Sequence, residues 1–87
     1  VERQVPLLHR TGLHLRAAGK FAQTAGRYSA AVRVGFGGRL VDGKSVLDIL
    51  TLGAAPGVEL VITAEGADAD PALDALVALV KSNFGED

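Results

Sequence analysis

Ala30-Ala31-Val32-Arg33-Val34-Gly35-Phe36-Gly37-Gly38-Arg39-Leu40-Val41-Asp42 is the stretch from which the fold can be read. Ala31, Arg33 and Gly35 alternate with Val32, Val34 and Phe36, the period of two that marks a strand with one face against a core. Gly37-Gly38 supplies the pair of residues that a tight hairpin turn asks for, and Arg39 to Asp42 returns as the second strand. Downstream, Gly43 leads into Lys44-Ser45-Val46-Leu47-Asp48-Ile49-Leu50-Thr51-Leu52-Gly53. There Ser45 and Asp48 form an S-x-x-D capping pattern and Gly53 a stop, so a short helix is expected. Pro56-Gly57 turns the chain into a strand over Val58 to Ala64, with Val58, Leu60 and Ile62 on one face and Val61 and Thr63 on the other. Asp70 as cap and Pro71 as first helical residue then start a last helix, along which Leu73, Leu76, Val77, Val80 and Phe84 recur at three and four.

Upstream of the hairpin, Val5 and Leu7 alternate with Gln4, Pro6 and Leu8, which gives a first strand over residues 2–8. Pro6 lacks an N–H and places that strand at an edge or points outward. Arg10-Thr11-Gly12 is a turn, and from Leu13 onward the period changes. Leu15, Ala18, Phe21, Ala22 and Ala25 fit a helix closed by Gly26, and the small residues on its face point to close packing. The order β-α-β-β-α-β-α implies an α+β open-faced β-sandwich, a four-stranded, mainly antiparallel sheet covered on one face by three helices. Residues 1–87 read as one domain.

With 87 residues, 48% of them hydrophobic, the chain supports one small core and no deep substrate cavity. The absence of cysteine excludes a disulfide scaffold, a thiolate metal cluster and a cysteine nucleophile. Nine Lys and Arg against ten Asp and Glu leave a net charge of -1, without the basic excess that phosphate-backbone binding requires. No apolar run reaches a bilayer span and no signal sequence opens the chain, so a cytoplasmic protein without membrane insertion is expected. The start on Val1 fits either a trimmed N-terminus or a domain of a longer protein.

Two histidines are the candidate chemistry. His9 is expected in a surface loop and is assigned no role. His14 stands at or beside the start of the first helix, where Ser, Thr, Asp or Asn is the usual cap. A helix start is an anion site through its free amides and positive dipole end. If a ring nitrogen of His14 acts as nucleophile, an attached phosphoryl group would lie over the amides of Leu15, Arg16 and Ala17, with the Arg16 guanidinium beside it. Ser45 is explained by its capping pattern, yet phosphorylation there would be tolerated by the dipole and would change the surface field. Val46, Leu47 and Leu50 cannot all face inward on a helix that already buries Ile49 and Leu52, so apolar surface remains for docking.

Gly12-Leu13-His14-Leu15-Arg16-Ala17-Ala18, followed in register by Gly43-Lys44-Ser45-Val46-Leu47-Asp48-Ile49-Leu50-Thr51-Leu52-Gly53 and by Ala64-Glu65-Gly66, resembles the HPr family of phosphocarrier proteins along the whole chain. The resemblance implies a histidine-phosphorylated relay of the bacterial phosphoenolpyruvate-dependent phosphotransferase system, a non-enzymatic, monomeric carrier that needs no cofactor and no metal. His14 matches the family's histidine phosphorylated on Nδ1, and Arg16 the arginine that assists transfer. Ser45 matches a serine that a dedicated kinase modifies in some lineages. Leu15, Val46, Leu47 and Leu50 match positions that dock on enzyme I, the donor, and on IIA acceptor domains.

The pattern departs from that family in places. Ala17 stands where many sugar-pathway members carry Pro, a feature shared with nitrogen-type members, as is the ending from Leu79 to Asp87. Leu15 is larger than usual beside the histidine, and Asp48 adds a negative charge at the docking helix. Sugar uptake, nitrogen-type regulation and a fused phosphocarrier domain therefore all stay open. Outside the class, the same sandwich serves as a ligand- or RNA-binding module, or as an acylphosphatase-like hydrolase. Few aromatic residues on the strands speak against base stacking.

Overall fold

The computed structural model describes residues 1–86. Its elements are β1 (Glu2–Pro6), α1 (Leu15–Ala25), β2 (Ala31–Phe36), β3 (Arg39–Asp42), α2 (Val46–Thr51), β4 (Glu59–Glu65) and α3 (Ala69–Lys81), followed by a 3-10 turn at Asn83–Gly85. The hairpin forms where alternation and glycines place it. Phe36 pairs with Arg39, and Gly37 and Gly38 take φ of 62° and 86°, the left-handed backbone that a two-residue turn needs to match strand twist. Every strand pair is antiparallel, and the sheet runs β1-β4-β2-β3. β1 lies at an edge with Pro6 exposed, so the missing N–H costs no sheet bond.

Val5, Val32, Val34, Leu60, Ile62 and Ala64 line the buried face of the sheet, and Phe21, Ile49, Leu73, Leu76, Val80 and Phe84 cover it from the helical side. Each large side chain buried this way stabilises the fold by about 1.5 to 3 kcal/mol. Exposed Gln4 and Arg33 alternate with these residues on the open face. The fold is the open-faced sandwich expected from the element order.

Several boundaries differ from the sequence expectation. β1 ends at Pro6, but the burial alternation of Val5 and Leu7 continues to His9, which is 5% exposed and thus not a surface residue. Leu15 does not join the buried stripe of α1, which consists of Ala17, Ala18, Phe21, Ala22 and Ala25. α3 begins at Ala69 rather than Pro71, with Asp68 rather than Asp70 in the cap position. Asp68 does not cap its own helix: its carboxylate accepts the N–H groups of Ser29 at 2.9 Å and Ala30 at 2.8 Å, tying the start of α3 to the entry of β2. Pro71 still falls in the first turn, where its missing N–H has no helical partner to lose.

Phe84 continues the helical spacing but not the helix. Asn83 and Phe84 take left-handed backbone, φ of 54° and 59°, so the chain doubles back after α3 and buries the Phe84 ring. Non-glycine residues pay strain for that conformation, and here ring burial and a 2.7 Å bond from Lys20 Nζ to the Phe84 carbonyl offset it. This reversal carries Glu86 to the start of α1.

Candidate functional site

The chain between β1 and α1 is held so that His14 can only sit at the helix start. Gly12 N–H donates to the His9 carbonyl at 2.9 Å, closing a turn, and Leu13 N–H donates to the Ala54 carbonyl at 3.1 Å. Gly12 has φ of 67°, and a side chain there would collide with the Ala54 carbonyl oxygen, so the turn requires glycine on both counts. His14 then takes extended backbone as the residue before the first helical turn. Its Nδ1 accepts the Arg16 N–H at 3.2 Å, which makes imidazole the cap in the place usually filled by a hydroxyl or carboxylate. The first intrahelical bond runs from Ala18 N–H to the His14 carbonyl, leaving the Leu15 and Ala17 amides with no helical acceptor.

That bond decides the chemistry of the ring. With Nδ1 accepting, neutral His14 keeps its proton on Nε2 and presents the Nδ1 lone pair toward the helix amides. The ring is about one-third exposed, and the Arg16 side chain is largely in solvent and able to swing. His14, Leu15, Arg16 and Ala17 are therefore brought together as the sequence motif suggests.

Glu86 and His9 complete the site, and neither was among the expected site residues. His9 Nδ1 accepts both the N–H and the hydroxyl of Thr11, at 3.2 and 2.8 Å, so its proton lies on Nε2 and is donated to Glu86 Oε1 at 3.0 Å. The same Oε1 is 3.6 Å from His14 Nε2. Glu86 Oε2 is buried without a hydrogen-bond partner, with Lys20 Nζ 3.5 Å and Arg16 Nε 3.9 Å away. Burial pushes the Glu86 carboxyl up, but the His9 bond and the charges of Lys20, Arg16 and His14 outweigh it and leave it below its ordinary 4.5. The His9 and His14 rings lie 5.2 Å apart, and the edge of Phe84 supports His9.

His9, His14 and Glu86 could supply three ligand atoms within 4.8 Å of one another, the donor set of some zinc sites. The hydrogen-bond directions oppose it. A metal-bound imidazole normally donates from its second nitrogen, whereas both Nδ1 atoms here face N–H donors. The cluster is arranged to hold protons rather than a cation.

Ser45 caps α2 by accepting the Asp48 N–H at 3.2 Å, one arm of the expected capping box. The other arm is replaced, since Ser45 N–H donates to the Asp42 carbonyl at 3.3 Å. Beside it, Leu47 is 75% and Leu15 66% exposed, while Val46 and Leu50 are half-buried and Ile49 is buried. An apolar surface thus remains on α2 and at the start of α1, and Leu15 and Leu47 provide most of it.

Comparison with known proteins gives this arrangement a context. A family model described as the PTS HPr component phosphorylation site matches residues 1–82. The chain is 43% identical over 84 residues to the phosphocarrier protein HPr of Pseudomonas aeruginosa, covering 95% of this chain and 93% of that protein. It is 40% identical over 86 residues to the phosphocarrier protein NPr of Shewanella violacea, covering 99% of this chain and 94% of that one. The crystal structure of HPr-C-His from Thermoanaerobacter tengcongensis superposes with a TM-score of 0.95 at 38% identity, covering 100% of this chain and 98% of that one.

Proposed function

Because this chain belongs to the HPr family of phosphotransferase-system components, we propose that it carries a phosphoryl group on His14 Nδ1, taken from enzyme I and passed to IIA-type acceptors for sugar uptake or for regulation of the nitrogen type. The observation that carries the reading is the cap: the Arg16 N–H holds the Nδ1 lone pair at the positive end of α1. As Nδ1 bonds to phosphorus, the donor's own bond to phosphorus breaks and its electron pair stays with the donor. The Arg16 N–H, no longer needed by Nδ1, can donate to a phosphoryl oxygen together with the Leu15 and Ala17 amides. The Arg16 guanidinium swings from Glu86 to the same group and offsets its charge. The protein is a stoichiometric carrier rather than a catalyst.

Docking rests on Leu15 and Leu47, with Val46 and Leu50 at the margin, a patch suited to brief contacts with successive partners. Ser45 is the regulatory site in this reading. A phosphoryl group on its Oγ would sit at the start of α2 and place negative charge inside the docking patch, which opposes acidic partners. The carrier works as a monomer of one domain in the cytoplasm. No helix among the described residues is long and apolar enough to cross a membrane.

Incubation with phosphoenolpyruvate and enzyme I tests the reading. Acid-labile label is expected on the wild-type chain and none on His14→Ala; label retained by that variant would place the site elsewhere.

A further inference from the structure

We propose that His9 and Glu86 form a positioning pair that keeps a proton on His14 Nε2 through the carrier cycle, an inference that rests on the phosphohistidine reading above. The buried His9 ring has a single orientation open to it. Both bonds from Thr11 occupy Nδ1, so Nε2–H must point outward, and it grips Glu86 Oε1 at 3.0 Å. Lys20, 3.5 Å from Oε2, and the left-handed backbone at Asn83 and Phe84 keep the carboxylate from turning away, and both remain when Arg16 swings to the phosphoryl group. It is therefore held with Oε1 3.6 Å from His14 Nε2, too long for a hydrogen bond to the neutral ring.

Phosphorylation changes the ring's charge. Forming the Nδ1–P bond consumes the Nδ1 lone pair, so a ring that retains its Nε2 proton becomes cationic. A fixed carboxylate at this distance favours that form, and the contact can close to a charge-assisted hydrogen bond. The proton matters on the way out. When Nδ1–P breaks and its electron pair returns to Nδ1, a ring protonated at Nε2 leaves as neutral imidazole, whereas one that has lost the proton must leave as imidazolate. Glu86 thereby keeps the phosphoryl bond labile toward higher pH. His9 supplies the grip and touches neither the phosphoryl group nor Nδ1.

The charged and titratable groups that face His14 are His9 and Arg10 from the loop after β1, Arg16 and Lys20 from α1, and Glu86 from the C-terminal turn. Among these Glu86 is the acid, and its charge is the one that the cations around it share.

The test is the pH profile of P–N hydrolysis in the isolated protein after labelling with phosphoenolpyruvate and enzyme I. Glu86→Gln keeps the shape and an acceptor oxygen and lies beyond the last helix, so the fold is retained. Once labelled, its profile should fall off about one pH unit earlier than that of wild type, leaving hydrolysis about tenfold slower on the alkaline limb. His9→Ala should shift the limb in the same direction, and His9→Gln, which restores an N–H donor, should move it back. Superimposable profiles for labelled wild type and Glu86→Gln would overturn the inference. A wild-type chain that takes no label overturns the phosphohistidine reading, and the inference with it.

Discussion

The starts of α1 and α2 are built alike and surrounded differently. Each is capped by a side chain that accepts an amide of the first turn, Arg16 N–H at His14 and Asp48 N–H at Ser45. Ser45 is the side chain that capping chemistry prefers, and nothing about its local geometry asks for a further explanation. His14 is not, and around it stand a buried second histidine, a carboxylate from the far end of the chain and the cations Arg16 and Lys20. An ordinary cap is a local matter, whereas a reactive cap needs support from elements distant in sequence.

The largest effect that can break this comparison is removal of the reactive cap itself. His14→Ala should abolish acid-labile labelling, while Ser45→Ala should leave labelling by enzyme I close to wild type; equal losses in both would show that helix integrity, not imidazole chemistry, is what labelling reports. Next comes the support of α1. Phe84→Ala removes a fully buried ring and should destabilise the fold by about 3 to 5 kcal/mol in urea unfolding. That is a large share of the roughly 5 to 15 kcal/mol a native domain has. A smaller effect is expected from Ser45→Ala, about 1 kcal/mol in the same measurement, the ordinary value of one cap.

A third helix start sharpens the contrast by a pH slope. Asp68 sits in the cap position of α3 but spends its carboxylate on β2, and the Ser29 N–H, against burial and with help from Ala30, holds it below its ordinary 3.8. A depressed carboxyl stabilises above its unfolded value and ceases to do so as pH falls through the native one. Unfolding curves of wild type and Asp68→Asn should therefore converge at acid and separate as pH rises through 3.8. A constant gap between them would mean that the bond is not charge-assisted. The Glu86 carboxyl, held below 4.5, carries the same sign, so the contact at the start of α1 should loosen in acid before the bond at α2, which contains no titrating atom.

Much of the site was legible because its parts are contiguous. Gly12, His14, Arg16 and Ala17 lie within one turn of a helix start, and capping and dipole arguments apply to such a segment directly. His9 shows what was readable and passed over. It continues the burial alternation of Val5 and Leu7, so a period of two carried two residues further would have placed it inside. Leu15 falls on the same helical spacing as the small residues of α1, yet the buried stripe of that helix begins at Ala17 and Leu15 stays exposed, as a docking position requires.

The alternation over 30–42, the glycine pair in its middle, the helical periods on either side and the two cap residues determine the element order and the open-faced sheet by local chemistry alone. Those signals are set by neighbours in the chain, and they survive whatever the rest of the molecule does. Glu86 could not be reached that way. Its position depends on Asn83 and Phe84 adopting left-handed backbone, which Asn tolerates but Phe does not favour, and which burial of the Phe84 ring and the Lys20 bond stabilise. A carboxylate beside the reactive histidine, 72 positions apart as 86 less 14, is thus decided by packing between distant elements, and no local propensity records it.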